Sequence, residues 1–491
     1  MMKVFSRLLK LDRQHNEPIY RQIYQRIKDA IVQGTLPPDT RVPSVRALAS
    51  EVGVARGTVE NAYTQLIAEG FLQSRGQGGT YVSAQLRDAP LLPLNIVDQP
   101  EQPIAVNNAL SANRVMARPF QLGLPALDAF PRAQWGRMMT KQLRGLTAAA
   151  LGHPPAAGLP ALRESIAHYL QLSRGFSCQP EQVFICAGYQ SLLDLVVNTV
   201  LKRGDRGWLE DPGYPATQQL IREAGLIPHP VNVDSDGMDV AAAIRDCPQA
   251  HFAIVTPAHQ SPLGVALSLA RRIALLEWAE QQQSWIIEDD YDSEFRYQGR
   301  PLPPLKSLDR HGRVLYAGTF SKVMFPALRL AYLVVPPELV AVFKHRCQLR
   351  SCASPPLIQA SVAEFIHQGH FYRHLKRMRH LYAERREMLA ASLMRQLAGV
   401  VVIEQQAGGI QLLAQLDRRF VDSDVAARAQ NQGLAIQAVS DWVLETNVAK
   451  DRKADSQNGL LMGFTNLTSV AETDRLVARL AEVIWSFSKE E

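Results

Sequence analysis

The sequence predicts an α/β protein in which an N-terminal winged helix-turn-helix precedes a large domain on a mainly parallel sheet, completed by a smaller C-terminal subdomain. Three observations carry this expectation. Helical stripes joined by a tight glycine turn, then a short glycine-tipped hairpin, fill residues 18–82. Beyond about residue 120, strand-like runs alternate with helical segments, the pattern of a parallel sheet covered on both faces. Between them lies a proline-bearing stretch with no sustained period, read as a linker.

Composition narrows the function classes. At 491 residues the chain exceeds one ordinary core, and several folding units are expected. With 46% apolar and 20% charged residues it falls in the soluble globular class. No run of about eighteen apolar residues could span a bilayer. Ser6, Arg7, Lys10 and Asp12 interrupt the apolar N-terminus, so it lacks the continuous core of a secretory signal and a cytoplasmic location is expected. Cys178, Cys186, Cys247, Cys347 and Cys352 form an odd set without a CxxC pair, read as buried thiols rather than disulfides or a metal site. The net charge is +6, and residues 1–83 hold 11 Lys/Arg against 7 Asp/Glu, a local +4. Nucleic acid is the natural anionic partner of that segment.

From Pro18 to Gly34, Ile19, Ile23, Ile27 and Ile31 recur at every fourth position, a helix stripe closed by glycine. Ser44 is placed to cap a short helix from Val45 to Val52 that stops at Gly53. A third helix from Arg56 to Glu69 puts Val59, Tyr63 and Leu66 on one face, so these read as core. Phe71 to Ser74 and Thr80 to Val82 flank Arg75-Gly76-Gln77-Gly78-Gly79, the shape of a wing. Pro90, Pro93, Pro100 and Pro103 mark the linker, giving expected domains at 12–83 and 118–491 joined by 84–117. In the larger domain Val183 to Cys186, His251 to Thr256, Trp285 to Glu288 and Val314 to Ala317 read as strands.

The strings RVPSVRALA, GVARGTV and EGFLQSRGQGGT resemble the DNA-binding domain of the GntR family across residues 18–82. That resemblance implies double-stranded operator DNA as partner. Arg56, Gly57 and Thr58 match the start of the groove-reading helix. Ser44 and Arg46 match the preceding turn and its backbone contact, and Arg75 and Gly76 match the wing contacts. The chemistry is compatible, since arginine forks onto guanine or phosphate, Thr58 offers a hydroxyl and Gly57 permits close approach. Arg41 either meets phosphate or flanks the turn.

Within GTFSKVMFPALR, Lys322 follows a strand and a Gly/Thr/Ser loop, with Arg329 seven residues on. A lysine desolvated beside another cation becomes a usable amine nucleophile. Asp289 and Tyr291 stand at the carboxyl end of the strand in IIEDDYDSEF, where ligands gather in open α/β sheets. Gly188-Tyr189-Gln190 begins a helix whose amides can cradle a phosphate. Together with EDPGYP and PAHQSPLG, these strings resemble fold-type I aminotransferases from about Phe120 onward. Joined to a GntR headpiece, the whole resembles the MocR/GabR subfamily of transcription regulators.

That resemblance implies pyridoxal 5′-phosphate (PLP) as a Schiff base on Lys322, with Asp289 on the pyridine nitrogen and Tyr291 on the ring oxygen. Arg329, Thr319 and Ser321, with the amides of Tyr189 and Gln190, match phosphate-binding positions. It also implies a homodimer that senses a small effector, either PLP itself or an amine. The chain departs from active aminotransferases in three places. Ser261 stands where an asparagine bonds the ring oxygen, and Leu151 replaces a tyrosine that reaches the neighbouring subunit. Leu461 in GLLMGF replaces the arginine that clamps a substrate α-carboxylate. An aminotransferase carrying a DNA-binding head is the alternative reading.

Overall fold

The computed structural model describes residues 9, 11–12, 17–87, 117–299, 302–350, 354–404, 406–444 and 458–487. The chain divides into two compact units, Met1–Ala112 and Asn113–Glu491. The division falls inside the stretch read as a linker, whose prolines lie outside the described residues, as does Cys352.

In the first unit, helices run over Ile19–Val32, Val45–Val52 and Arg56–Ala68. Ile23, Ile27 and Ile31 are buried with Leu48, Val59, Tyr63 and Leu66, so the expected stripes meet in one core. Ser44 caps the second helix by accepting from the Ala47 amide at 3.2 Å, and Gly53 ends it in the left-handed region at φ 64°. That backbone suits glycine because it has no β-carbon to clash. The wing strands β1 (Leu72–Ser74) and β2 (Thr80–Val82) pair antiparallel, with Leu72 opposite Val82. Ser44→Ala should lower stability of the headpiece by about 1 kcal/mol through loss of the cap, read as a shift in its chemical denaturation midpoint.

The second unit is built on an eight-stranded sheet. Its strands are β3 (Val183–Cys186), β4 (Arg206–Asp211), β5 (Ile227–Asp234), β6 (Gly237–Met238), β7 (Phe252–Val255), β8 (Trp285–Asp290), β9 (Val314–Thr319) and β10 (Ala331–Val334). Their order is β3-β10-β9-β8-β7-β4-β5-β6. Strands β5, β4, β7, β8 and β9 run parallel, whereas β10 is antiparallel to both β9 and β3. The carboxyl ends of β3, β4, β7, β8 and β9 therefore share one edge of the sheet, where an open α/β sheet places its ligands. Strands β3, β7 and β10 are buried along their whole length, as expected where helices cover both faces.

The smaller subdomain is a four-stranded antiparallel sheet of β11 (Val401–Ile403), β12 (Gln411–Leu416), β13 (Gln437–Ala438) and β14 (Gly459–Gly463), ordered β11-β12-β14-β13. Helices His370–Gln396, Asp422–Asn431 and Val470–Phe487 accompany it. Their apolar faces contribute Leu389, Leu393, Val425, Ala429, Val477 and Leu480 to the largest core, which also takes in Leu460 and Met462 of β14. Cys186, Cys247 and Cys347 are buried and Cys178 is half-buried, and none of the four is in a disulfide among the described residues. Among the described residues no helix is long and apolar enough to cross a membrane, and no cluster of metal-ligating side chains occurs.

Candidate functional site

The headpiece presents its candidate contacts on one short motif. Arg56 and Gly57 occupy the first turn of the third helix, and Arg46 the first turn of the second, all three exposed. A β-carbon at Gly57 would meet open space, so nothing of the protein blocks a close approach there. Thr58 is partly buried, and its amide closes the helix start onto the Ala55 carbonyl at 3.0 Å. In the wing, Gly76 stands exposed at φ 60°. Arg75 is held within the unit, its Nη2 2.5 Å from Asp39 and its guanidinium 4.6 Å over the Tyr81 ring. A phosphate would have to compete with Asp39 for it. Arg41 lies along the wing, with its Nε 3.1 Å from where a β-carbon of Gly79 would stand. Val59 and Tyr63 are core, and the Tyr63 hydroxyl donates to the Pro43 carbonyl at 3.0 Å.

In the larger unit the residues singled out from distant parts of the chain converge on the sheet edge. Lys322 follows β9 by three residues, and its Nζ donates to the Gly123 carbonyl at 2.8 Å. A β-carbon at Gly123 would lie 2.5 Å from that Nζ, so only glycine lets the amine sit there. Burial pushes the Lys322 amine below the ordinary lysine range, with Asp292 and Asp289 opposing the shift. Asp289, near the end of β8, is pushed up to about 7 by burial. The Tyr189 hydroxyl bonds it and opposes that rise, while Asp290 and Glu210 add to it. A carboxylate so placed gains most from a cation, which a protonated pyridine nitrogen would provide.

Gly188 precedes the helix Tyr189–Val200 at φ 93°. A β-carbon there would come within 3.2 Å of the Arg329 guanidinium carbon. The helix start, bearing the Tyr189 and Gln190 amides, is thus flanked by an exposed arginine, an arrangement that could hold a phosphate. Thr319 and Ser321 complete the turn after β9, with the Ser321 amide 3.2 Å from the Thr319 hydroxyl. Ser261 follows β7 and hydrogen-bonds Tyr291, whose phenol burial holds far above its usual value. These residues fit PLP in donor type and in placement.

Several participants carried no assignment in the sequence. Glu210 is pushed up to about 7 by burial. It accepts from the Thr256 amide at 3.2 Å and its hydroxyl at 2.5 Å. His259 Nδ1 lies 2.9 Å from the Tyr291 hydroxyl and 3.2 Å from Asp292. The turn beyond β8 is anchored by buried Arg174, 3.1 Å from Asp290 and 2.8 Å from Glu294. PAHQSPLG and IIEDDYDSEF contain His259 and Asp292, but no spacing rule links two strand-end loops.

Leu461 is fully buried, opposite Leu413 and Gln437 in β14. It packs with Val233, Leu263, Val439 and Trp442, and Leu122 closes over the cluster. Leu263 lies two residues from Ser261 and Leu122 one residue from Gly123, so the cluster around Leu461 is apolar. Leu151 is 75% exposed.

Comparison with known proteins agrees with both units. The model for the gntR family of bacterial regulatory proteins matches residues 19–82. That for class I and II aminotransferases matches residues 132–448. The probable rhizopine catabolism regulatory protein MocR of Rhizobium meliloti is 38% identical over 470 residues, covering 94% of this chain and 92% of the relative. The pyridoxine biosynthesis transcriptional regulator PdxR of Corynebacterium glutamicum is 32% identical over 381 residues, covering 76% and 78%. An archaeal alanine:glyoxylate aminotransferase superposes with a TM-score of 0.68 at 25% identity, covering 76% of this chain and 92% of its own. The Thermus thermophilus α-aminoadipate aminotransferase LysN, complexed with N-(5′-phosphopyridoxyl)-L-leucine, gives 0.67 at 26% identity, covering 76% and 93%.

Fold and site together define a transcription regulator in which a helix-turn-helix headpiece is joined to an aminotransferase-like domain. The chain belongs to the MocR subfamily of the GntR family of regulators.

Proposed function

We propose that this regulator holds PLP on Lys322 and reads a small effector, PLP itself or a primary amine, to change its affinity for operator DNA. The observation that carries the reading is the meeting of Lys322, Asp289 and Tyr291 on one sheet edge beside the Gly188–Arg329 phosphate cradle, while Leu461 is apolar. When bound, PLP supplies an electrophilic carbon toward amines. Lys322 is the desolvated amine that holds it, Asp289 the counter-charge to its ring nitrogen and Tyr291 the partner of its ring oxygen. The apolar wall at Leu461 favours an effector other than a common α-amino acid. The pyridoxine biosynthesis role named for one relative supports PLP as the sensed molecule.

Regulation requires the effector to bind two DNA-affecting states unequally, so ligand and operator affinities are reciprocally coupled. A cytoplasmic homodimer presenting two headpieces is part of the proposal, with Leu151 on the subunit surface. Footprinting of operator fragments selected by the protein, with and without PLP, tests the whole; protection unchanged by PLP and by every amine tried defeats the sensing role. Within the headpiece, Arg56→Ala should weaken operator binding by about 1–3 kcal/mol and relax preference at one base position per half-site. Arg46→Ala should weaken all sequences alike and flatten the salt dependence, as loss of a phosphate contact does. Parent-like binding by both variants removes the groove assignment.

A further inference from the structure

The Tyr291 hydroxyl has two side-chain hydrogen-bond partners. His259 Nδ1 lies 2.9 Å from its hydroxyl, and the Ser261 hydroxyl bonds the same group. Asp292 Oδ2 is 3.2 Å from that Nδ1. Both members of the couple are deep inside, Asp292 1% and His259 7% exposed. Among the described residues neither Asp292 oxygen nor His259 Nε2 has a hydrogen-bond partner, so Asp292 acts on the imidazole through its charge at 3.2 Å. The imidazole has little room to turn, because a β-carbon at Gly409 would fall 2.2 Å from its Cε1.

An ionised carboxylate only accepts hydrogen bonds. Beside Nδ1, the Asp292 charge favours the tautomer with the proton on that nitrogen, and the Tyr291 oxygen is the acceptor that nitrogen meets. With His259 and Ser261 both donating, the phenol's own proton is left for a third acceptor. We propose that Asp292 and His259 are positioning residues that hold the Tyr291 proton toward the cofactor's ring oxygen, and so lower the basicity of the Lys322 imine nitrogen. This inference rests on PLP being seated on Lys322 with its ring oxygen at Tyr291. Its reason is electrostatic: a proton shared with the ring oxygen draws charge from it and weakens its hold on the adjacent imine proton.

The test is a pH titration of the visible absorption of the full-length, PLP-loaded protein. The charged groups acting on this region are Asp292, Asp289, Glu210 and Lys322 itself, and all but the mutated one stay constant across the set. His259→Phe should raise the midpoint by about one pH unit. Asp292→Asn also removes a charge that favours the protonated Lys322 nitrogen, so its effect through the phenol is read as a difference, a midpoint shift more positive in the parent than in the Tyr291→Phe background. His259→Gln, whose amide N–H can donate to the same oxygen, should stay near the parent. Tyr291→Phe should give the full rise, and adding His259→Phe to it should give no further change. A purely structural role would lower PLP occupancy without this pattern. Unchanged midpoints, or an equal His259→Phe shift with and without Tyr291, overturn the inference. His259→Leu, which likewise lacks a donor, decides the matter if His259→Phe does not fold. A parent protein with no visible band after PLP addition overturns the cofactor reading, and this inference with it.

Discussion

Lys322→Ala leaves no borohydride-reducible PLP adduct on the protein, where the parent retains one per chain. Only an amine at this junction can form the imine, and the structure shows how narrowly the amine is placed. Its Nζ is fixed on the Gly123 carbonyl at 2.8 Å, against a glycine with no side chain to displace it. Burial lowers its basicity, which leaves more of it neutral and nucleophilic at a given pH. The substitution is confined to the larger unit. The headpiece core of Ile23, Ile27, Leu48, Val59 and Leu66 belongs to the other unit, so binding to non-specific DNA should persist. Intact-mass measurement after reduction checks the first statement and a salt-dependent DNA titration the second. An adduct of parental yield on Lys322→Ala would move the cofactor to another lysine.

The purified protein should transaminate common α-amino acids very slowly or not at all. A bidentate arginine holds an α-carboxylate in one orientation, and such positioning can supply roughly 7 kcal/mol of a barrier, about a factor of 10⁵ in rate. Leu461 offers neither charge nor donor, and its side chain is spent on packing with Leu263, Leu413 and Trp442. Leu461→Arg would set a guanidinium among these apolar groups. An unpaired buried charge costs several kcal/mol, so the variant's melting temperature should fall. It should then recover in part with added α-amino acid, because ligand binding to the folded state stabilises it by mass action. Keto-acid formation under steady-state conditions is the direct measurement; rapid turnover by the parent would make the aminotransferase reading the better one.

Much of this protein is written locally. The helix stripe of Ile23, Ile27 and Ile31, the Ser44 cap, the Gly53 stop and the glycine-tipped wing are features of a few consecutive residues. Short-range periodicity and capping chemistry suffice to place them. Lys322, Asp289, Tyr291 and Gly188 were legible for a related reason, since each sits at the end of a strand or the start of a helix that the pattern marks. Leu461, at the position that the resemblance gives to a clamping arginine, likewise stands in one short string.

Other features needed the chain folded. Gly123 meets Lys322 across 199 residues, and the antiparallel β10 enters a sheet whose other long strands are parallel. Arg75, read as a wing contact, is engaged by Asp39, a residue brought near only by the turn of the headpiece. His259 and Asp292 lie on loops after different strands, and their meeting beside Tyr291 arises from strand order. Sequence by itself determined the elements, the headpiece and the chemical types at the site, because those depend on near neighbours along the chain. Tertiary structure alone decided which polar groups meet and that Leu461 is buried, because burial and contact between distant segments exist only once the sheet has closed.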